Sequence, residues 1–96
     1  MRKEIIVKMH EEDSNLVERK HFEYQSARSN IAFLAQESNV NKELFDMFTA
    51  IVDKRFYEIE KAKSNMSKKY LPEELKGKNY NFSFDFDNET IVYTLV

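Results

Sequence analysis

Hydrophobic and polar positions at the start of the chain alternate and then change to a longer period. Residues 4–9 alternate, and Ile5, Val7 and Met9 share one side, as in a strand that covers a core with one face. From about residue 13 to 37, apolar side chains recur three and four positions apart. This spacing predicts a long amphipathic helix directly after the strand.

The second stretch with helical spacing covers about residues 42–70 and ends before Pro72, which cannot continue a helix. Its apolar stripe is interrupted by Arg55. In an antiparallel helical hairpin we expect Arg55 to lie near Tyr24, where the ring or a nearby glutamate would accept its charge.

Two asparagines stand at positions typical of helix N-caps. Asn15 lies three residues before Glu18, which is the spacing of a capping box, and is expected to cap the first helix. Asn41 ends the short connection between the helices and is expected to cap the second. Val40 and Phe45 on either side of it have the spacing of a hydrophobic staple.

The C-terminal segment has the clearest strand pattern in the chain. Residues 80–86 and 91–95 alternate aromatic or aliphatic side chains with polar ones, which predicts a β-hairpin. A two-residue loop at Asn88 and Glu89 would place every large side chain on one face. The pairs that this loop predicts are Phe86 with Ile91, Phe84 with Tyr93, and Phe82 with Leu95.

These elements predict an α+β fold in the order β-α-α-β-β, as a single domain over residues 1–96. A long antiparallel helical hairpin would pack on a small three-stranded sheet. The second helix should be about 42 Å long, and a strand of about eight residues only about 26 Å. The hairpin should therefore extend about 15 Å beyond the sheet and leave apolar side chains uncovered near its bend.

Uncovered apolar side chains are typical of an interaction surface. Two further features favour the same interpretation. Phe22 and Phe33 share a second, uncharged side of the first helix, and an unpaired terminal strand ending in Leu95 and Val96 could accept a partner peptide. The predicted partner-binding residues are Phe22, Phe33, Phe45, Met47 and Leu95.

Composition narrows the functional classes further. The chain has 96 residues, no cysteine and a formal net charge of −2, and it contains one glycine. We therefore expect no thiolate site, no glycine-rich phosphate loop and no general attraction to nucleic acid. The N-terminal apolar run is too short for a signal sequence or a membrane span, so we expect a cytoplasmic protein that does not bind membranes.

No residue pattern predicts catalysis or a cofactor. His10 and His21 are the only imidazoles, and neither belongs to a metal-binding motif. Asp85, Asp87 and Glu89 alternate like the start of a calcium loop, but the glycine and the terminal glutamate of that loop are missing, so turn chemistry explains them better. We expect a non-enzymatic protein without a metal or cofactor.

Two segments resemble one group of small bacterial proteins, the accessory proteins of modification systems for cysteine-repeat (CXXX) peptides. The segments are Met66 to Tyr70 and the aromatic and acidic hairpin Phe84 to Ile91. The resemblance covers about the last third of the chain. It implies a non-catalytic partner of a peptide-maturing enzyme or of its precursor peptide.

The first hypothesis is thus an adaptor or assembly subunit that binds a protein or peptide, with homo-oligomerisation as one form of that binding. The alternative is a phage or mobile-element protein, either a structural subunit or a small inhibitor of a host protein. An inhibitor would present acidic surface to a basic site. The residues available for this are Glu11, Glu12, Asp13, Asp85, Asp87 and Glu89.

Overall fold

The computed structural model describes residues 3–36 and 41–96 and has the predicted α+β architecture. Two long helices pack side by side as a hairpin, and a three-stranded antiparallel sheet packs against them. In chain order the elements are β1 (Glu4–Lys8), α1 (Glu11–Ala35), α2 (Lys42–Lys69), a 3₁₀ turn (Glu73–Leu75), β2 (Tyr80–Asp85) and β3 (Thr90–Leu95).

The sheet has the strand order β1-β3-β2, so the last strand lies in the middle. Its inner face forms the core with the N-terminal half of α1 and the C-terminal half of α2. Tyr93 and Ile91 of β3 are completely buried there, together with Val17 of α1 and Ile59 of α2. Leu75 of the 3₁₀ turn, an element that the sequence did not predict, is also buried in this core.

The predicted hairpin register is wrong by two residues. The observed pairs are Phe84 with Ile91, Phe82 with Tyr93, and Tyr80 with Leu95. The loop has four residues because the Asp85 carboxylate accepts hydrogen bonds from the backbone N–H and the side-chain amide of Asn88. Glu89 then reverses the chain with a positive φ of 54°. A shift of two residues leaves each side chain on its predicted face.

The first helix begins at Glu11, earlier than predicted, and Asn15 does not cap it. His10 occupies the N-cap position without a side-chain hydrogen bond, and its carbonyl oxygen accepts from the N–H groups of Asp13 and Ser14. The early start follows from β1, because the Met9 N–H is still bonded to the Glu89 carbonyl of the sheet.

The second helix agrees with the prediction at both ends. The side-chain oxygen of Asn41 accepts from the N–H groups of Glu43 and Leu44, as an N-cap should. The proposed staple involves Val40, which lies outside the described residues.

The hairpin extends well beyond the sheet, as predicted. The radius of gyration is 17.0 Å, whereas a compact domain of this length would have about 12.5 Å. The buried residues of α2 are Ile59, Met66 and Ser67, so none lies in its first 17 residues. That part of α2 is about 25 Å long, and it packs on one side against α1 alone.

Candidate functional site

Three of the five predicted partner-binding side chains are strongly exposed. Phe22, Phe33 and Met47 have 68%, 69% and 60% of their surface accessible to solvent. Phe45 is half-buried. Phe33, Phe45 and Met47 belong to the part of the hairpin that the sheet does not cover, whereas Phe22 follows His21, whose ring lies 6.2 Å from Phe86 of the β2–β3 loop.

The fifth residue, Leu95, does not lie on an unpaired strand, so the reason for predicting it as a binding residue is wrong. Its strand, β3, is the central strand and is bonded on both sides, so it has no free edge. The Leu95 N–H donates to the Lys3 carbonyl, and the next N–H, of Val96, donates to the Asn79 carbonyl. Its side chain packs against the core. The free edges of the sheet belong to β1 and β2.

Phe22 of α1 and Ile51 of α2 line a common groove on one side of the hairpin, and we call the exposed apolar residues in and around it the distal face. Phe22 lies beside Ile51 in a groove with the small side chains of Ser26 and Asn30. Phe33 follows Phe22 by three helical turns and about 20° of rotation, so it continues the same row. Five apolar residues define the distal face: Phe22, Phe33, Leu44, Met47 and Ile51.

A network of ion pairs borders the distal face, since Glu23 and Arg55 line the same groove as Phe22 and Ile51. Arg55 contacts the carboxylates of Glu23 on α1 at 3.1 Å and of Glu58 at 3.0 Å. Lys20 on α1 also reaches Glu58 at 3.1 Å and lowers the pKa of that carboxyl, with a second hydrogen bond from Arg55. Of the two partners expected for Arg55, the structure has the glutamate and not the ring of Tyr24.

The network joins α1 to α2 at the point where Arg55 interrupts the apolar stripe. All four side chains are partly buried. Charge-assisted hydrogen bonds of this kind add geometric specificity to the apolar contact between α1 and α2. The two helices that carry the distal face are thus joined by ion pairs as well as by apolar contacts.

A second polar cluster ties the start of α1 to the end of α2. The Asp13 carboxylate accepts hydrogen bonds from Lys69, at 2.7 Å, and from the Tyr70 hydroxyl, and both lower its pKa. Burial and the bond to Asp13 raise the pKa of Tyr70. The hydroxyl also accepts from the His10 N–H. Asp13 therefore has a structural function in closing the hairpin at the sheet.

The structure brings the two acidic segments of the sequence to the same end of the sheet. The Met9 N–H bonds to the Glu89 carbonyl, so the β2–β3 loop lies beside the start of α1. Glu11, Glu12 and Asp87 are exposed there. Asp85 instead holds Asn88 of the loop, and these bonds lower its pKa.

Other exposed apolar residues received no functional assignment from the sequence. Phe56 packs against Tyr24, with ring centroids 5.6 Å apart, on the side of the hairpin away from Met47. Ile6 is 65% exposed on the outer face of β1. The alternation of β1 already placed Ile6 opposite Ile5 and Val7, so its exposure was predictable.

Within residues 3–36 and 41–96, no three histidine or acidic side chains are grouped closely enough to hold a metal ion. Over the same ranges, neither helix combines the length and apolarity that crossing a membrane requires. No family model, curated protein or solved structure matches the chain.

Proposed function

We propose that this protein is a non-enzymatic, cytoplasmic interaction module, an adaptor or assembly subunit that binds a partner protein through the distal face. The observation that carries the proposal is the exposure of several large apolar side chains on a helix pair that is joined by ion pairs. The two phenyl rings of Phe22 and Phe33 alone present about 250 Å² to solvent, from the usual area of an aromatic side chain.

That area is about a third of the ~800 Å² that each partner contributes to a standard interface. Leu44, Met47 and Ile51 add to it. Aromatic and methionine side chains are enriched at the centre of such interfaces. The groove beside Phe22 is also lined by Ser26, Asn30 and the ion pair of Arg55 with Glu23, which would supply polar contacts at the rim of such an interface. The resemblance to accessory proteins of CXXX-peptide modification suggests one class of partner, a peptide-maturing enzyme or its precursor peptide.

The test compares exposed apolar residues on and off the distal face. Tagged protein is used to capture partners from the source cell, and the captured proteins are identified by mass spectrometry. Phe22→Ser and Met47→Ser should lose the partner, since each removes an anchor without opening a core. Val96→Ser, equally exposed but directly after β3 and outside both proposed contact surfaces, is the matched control and should retain it. Retention by both distal-face variants would contradict the proposal.

A second candidate function, a small acidic inhibitor of a host protein, is favoured by the shared location of the two acidic segments. Glu12→Gln combined with Asp87→Asn removes charge from exposed positions and leaves the Asp13 and Asp85 contacts intact. If the protein is an inhibitor, this double variant should lose its partner and Met47→Ser should keep it. The opposite pattern would support the distal face.

A further inference from the structure

The strand β1 is an open edge with an unusual distribution of side chains. The Leu95 N–H bonds to Lys3 and the Met9 N–H to Glu89, so the odd-numbered residues of β1 face β3 with their backbone groups. Hydrogen bonding alternates along an antiparallel strand. The N–H and C=O groups of Glu4, Ile6 and Lys8 therefore point away from the sheet, where within residues 3–36 and 41–96 they have no backbone partner, and they can pair with another strand.

The same three residues also carry the side chains on the outer face of the sheet. Ile6 is exposed in the middle, with a negative charge two residues before it and a positive charge two residues after it. Glu4 has no ion-pair partner among residues 3–36 and 41–96. In the same part of the chain, the one acceptor of the Lys8 ammonium is a neutral group, the Asn88 carbonyl, at 2.8 Å.

We propose that β1 is the contact surface for a second copy of this chain. Two β1 strands pair antiparallel about a twofold axis at Ile6, which joins the two sheets into one of six strands. Each Glu4 then lies opposite Lys8 of the other copy, and Ile6 lies opposite Ile6. On the inner face Ile5 lies opposite Val7, so apolar surface continues across the boundary. Every position from Glu4 to Lys8 meets a complementary one.

Other pairings of the same strand are much less favourable. A parallel pair would place Glu4 beside Glu4 and Lys8 beside Lys8, and like charges directly opposite each other are destabilising. A shift of two residues would place Ile6 opposite a charge. The pattern therefore selects a single register, and a twofold contact of this kind closes on itself as a dimer.

The other edge of the sheet has no comparable pattern. The outward-facing side chains of β2 are Asn81, Ser83 and Asp85, so a second β2 strand would bring no opposite charge. A second copy of β1 is thus complementary to β1 in charge, side chains and backbone groups, whereas a second copy of β2 would bring no opposite charge to β2. The proposal is independent of the distal face, which lies on the helices.

A charge-exchange experiment tests the dimer. Sedimentation velocity of the intact chain at concentrations up to about 1 mM should show a monomer–dimer equilibrium. Glu4→Lys and Lys8→Glu should each weaken it about tenfold or more, because each creates two like-charge pairs. An equimolar mixture of the two variants should dimerise again, since opposite signs then meet at both positions. Circular dichroism checks that each variant is folded.

The restored dimer in the mixture is a result that a loss of folding cannot produce. Met47→Ser should dimerise like the unmodified chain, which separates this contact from association through the distal face. A monomer at every concentration would overturn the proposal. Unchanged association of both single variants, or a mixture that stays monomeric, would overturn it as well.

Discussion

The central strand caps the end of α2 through a single buried hydroxyl, and removing that hydroxyl tests how the sheet and the hairpin are joined. Tyr93 is fully buried, and its hydroxyl donates to the Ser67 carbonyl at 2.7 Å. Ser67 lies in the last turn of α2, where carbonyls lack a helical donor. In Tyr93→Phe this carbonyl would stay buried without a partner.

An unpaired buried carbonyl costs about 2 kcal/mol. For a domain of this size that loss corresponds to a decrease of about 10 °C in Tm. Thermal and urea unfolding of Tyr93→Phe, followed by circular dichroism at neutral pH, measure the loss. Tyr80→Phe is the matched control, because the Tyr80 hydroxyl has no hydrogen bond within the described part of the chain, and its Tm should stay within a few degrees.

The pH dependence gives an independent check on the same residue. Burial raises the pKa of Tyr93 to about 12, whereas an unfolded chain has the ordinary value of 10.0. Folding therefore favours the neutral form of Tyr93. The stability that this preference contributes is fully present below pH 10 and is lost as the pH rises toward 12. In Tyr93→Phe the free energy of unfolding should fall less between pH 10 and pH 12 than in the unmodified chain. Equal stability of Tyr93→Phe and Tyr80→Phe would refute the interpretation.

Three further substitutions test local features of the fold. Asn41→Ala should lower the free energy of unfolding by about 1 kcal/mol through loss of the α2 cap, as measured by urea unfolding; an unchanged midpoint would contradict the cap. Glu89→Gly should instead raise the free energy of unfolding by about 1 kcal/mol, because the backbone at position 89 is left-handed and glycine adopts that conformation without strain. A lower Tm for this variant would contradict the loop geometry. The lowered pKa of Asp13, due to Lys69 and Tyr70, adds stability that is present above the ordinary carboxyl pKa and is lost as the pH falls below it. Asp13→Asn should therefore unfold at neutral pH more easily than the unmodified chain and show a smaller further loss in acid; an equal acid loss would contradict the assignment.

The elements and their faces could be predicted because each depends on neighbours in sequence. Asn41 caps α2 by bonds to residues two and three positions ahead. Ile5, Val7 and Met9 face the core because alternate strand residues point to opposite sides. The register of the hairpin could not be chosen in this way, since a shift of two residues preserves every face. The contacts of Asp85 with Asn88 decided between two registers that the hydrophobic pattern allows equally.

The candidate binding surfaces likewise include features that local sequence patterns predict and features that they do not. The exposure of Phe33 and Met47 was predictable from helix length against strand length, which needs only the rise per residue. The exposure of Phe22 was predictable from its position on the side of the first helix opposite the apolar stripe. The position of Leu95 on the central strand was not predictable, because it depends on which strands pair. β1 and β3 are separated by almost the whole chain, and both have an apolar face that suits the same helices.

Local sequence patterns specify two helices longer than the sheet, one alternating strand before them, two after them, and the side of each element that faces the core. The long-range contacts of the fold place β3 in the middle of the sheet and β1 and β2 at its edges. The difference lies in how far apart along the chain the interacting residues are. Periodicity and capping act over a few residues, whereas strand order is set by hydrogen bonds between Glu4–Lys8 and Thr90–Leu95, which no local pattern specifies.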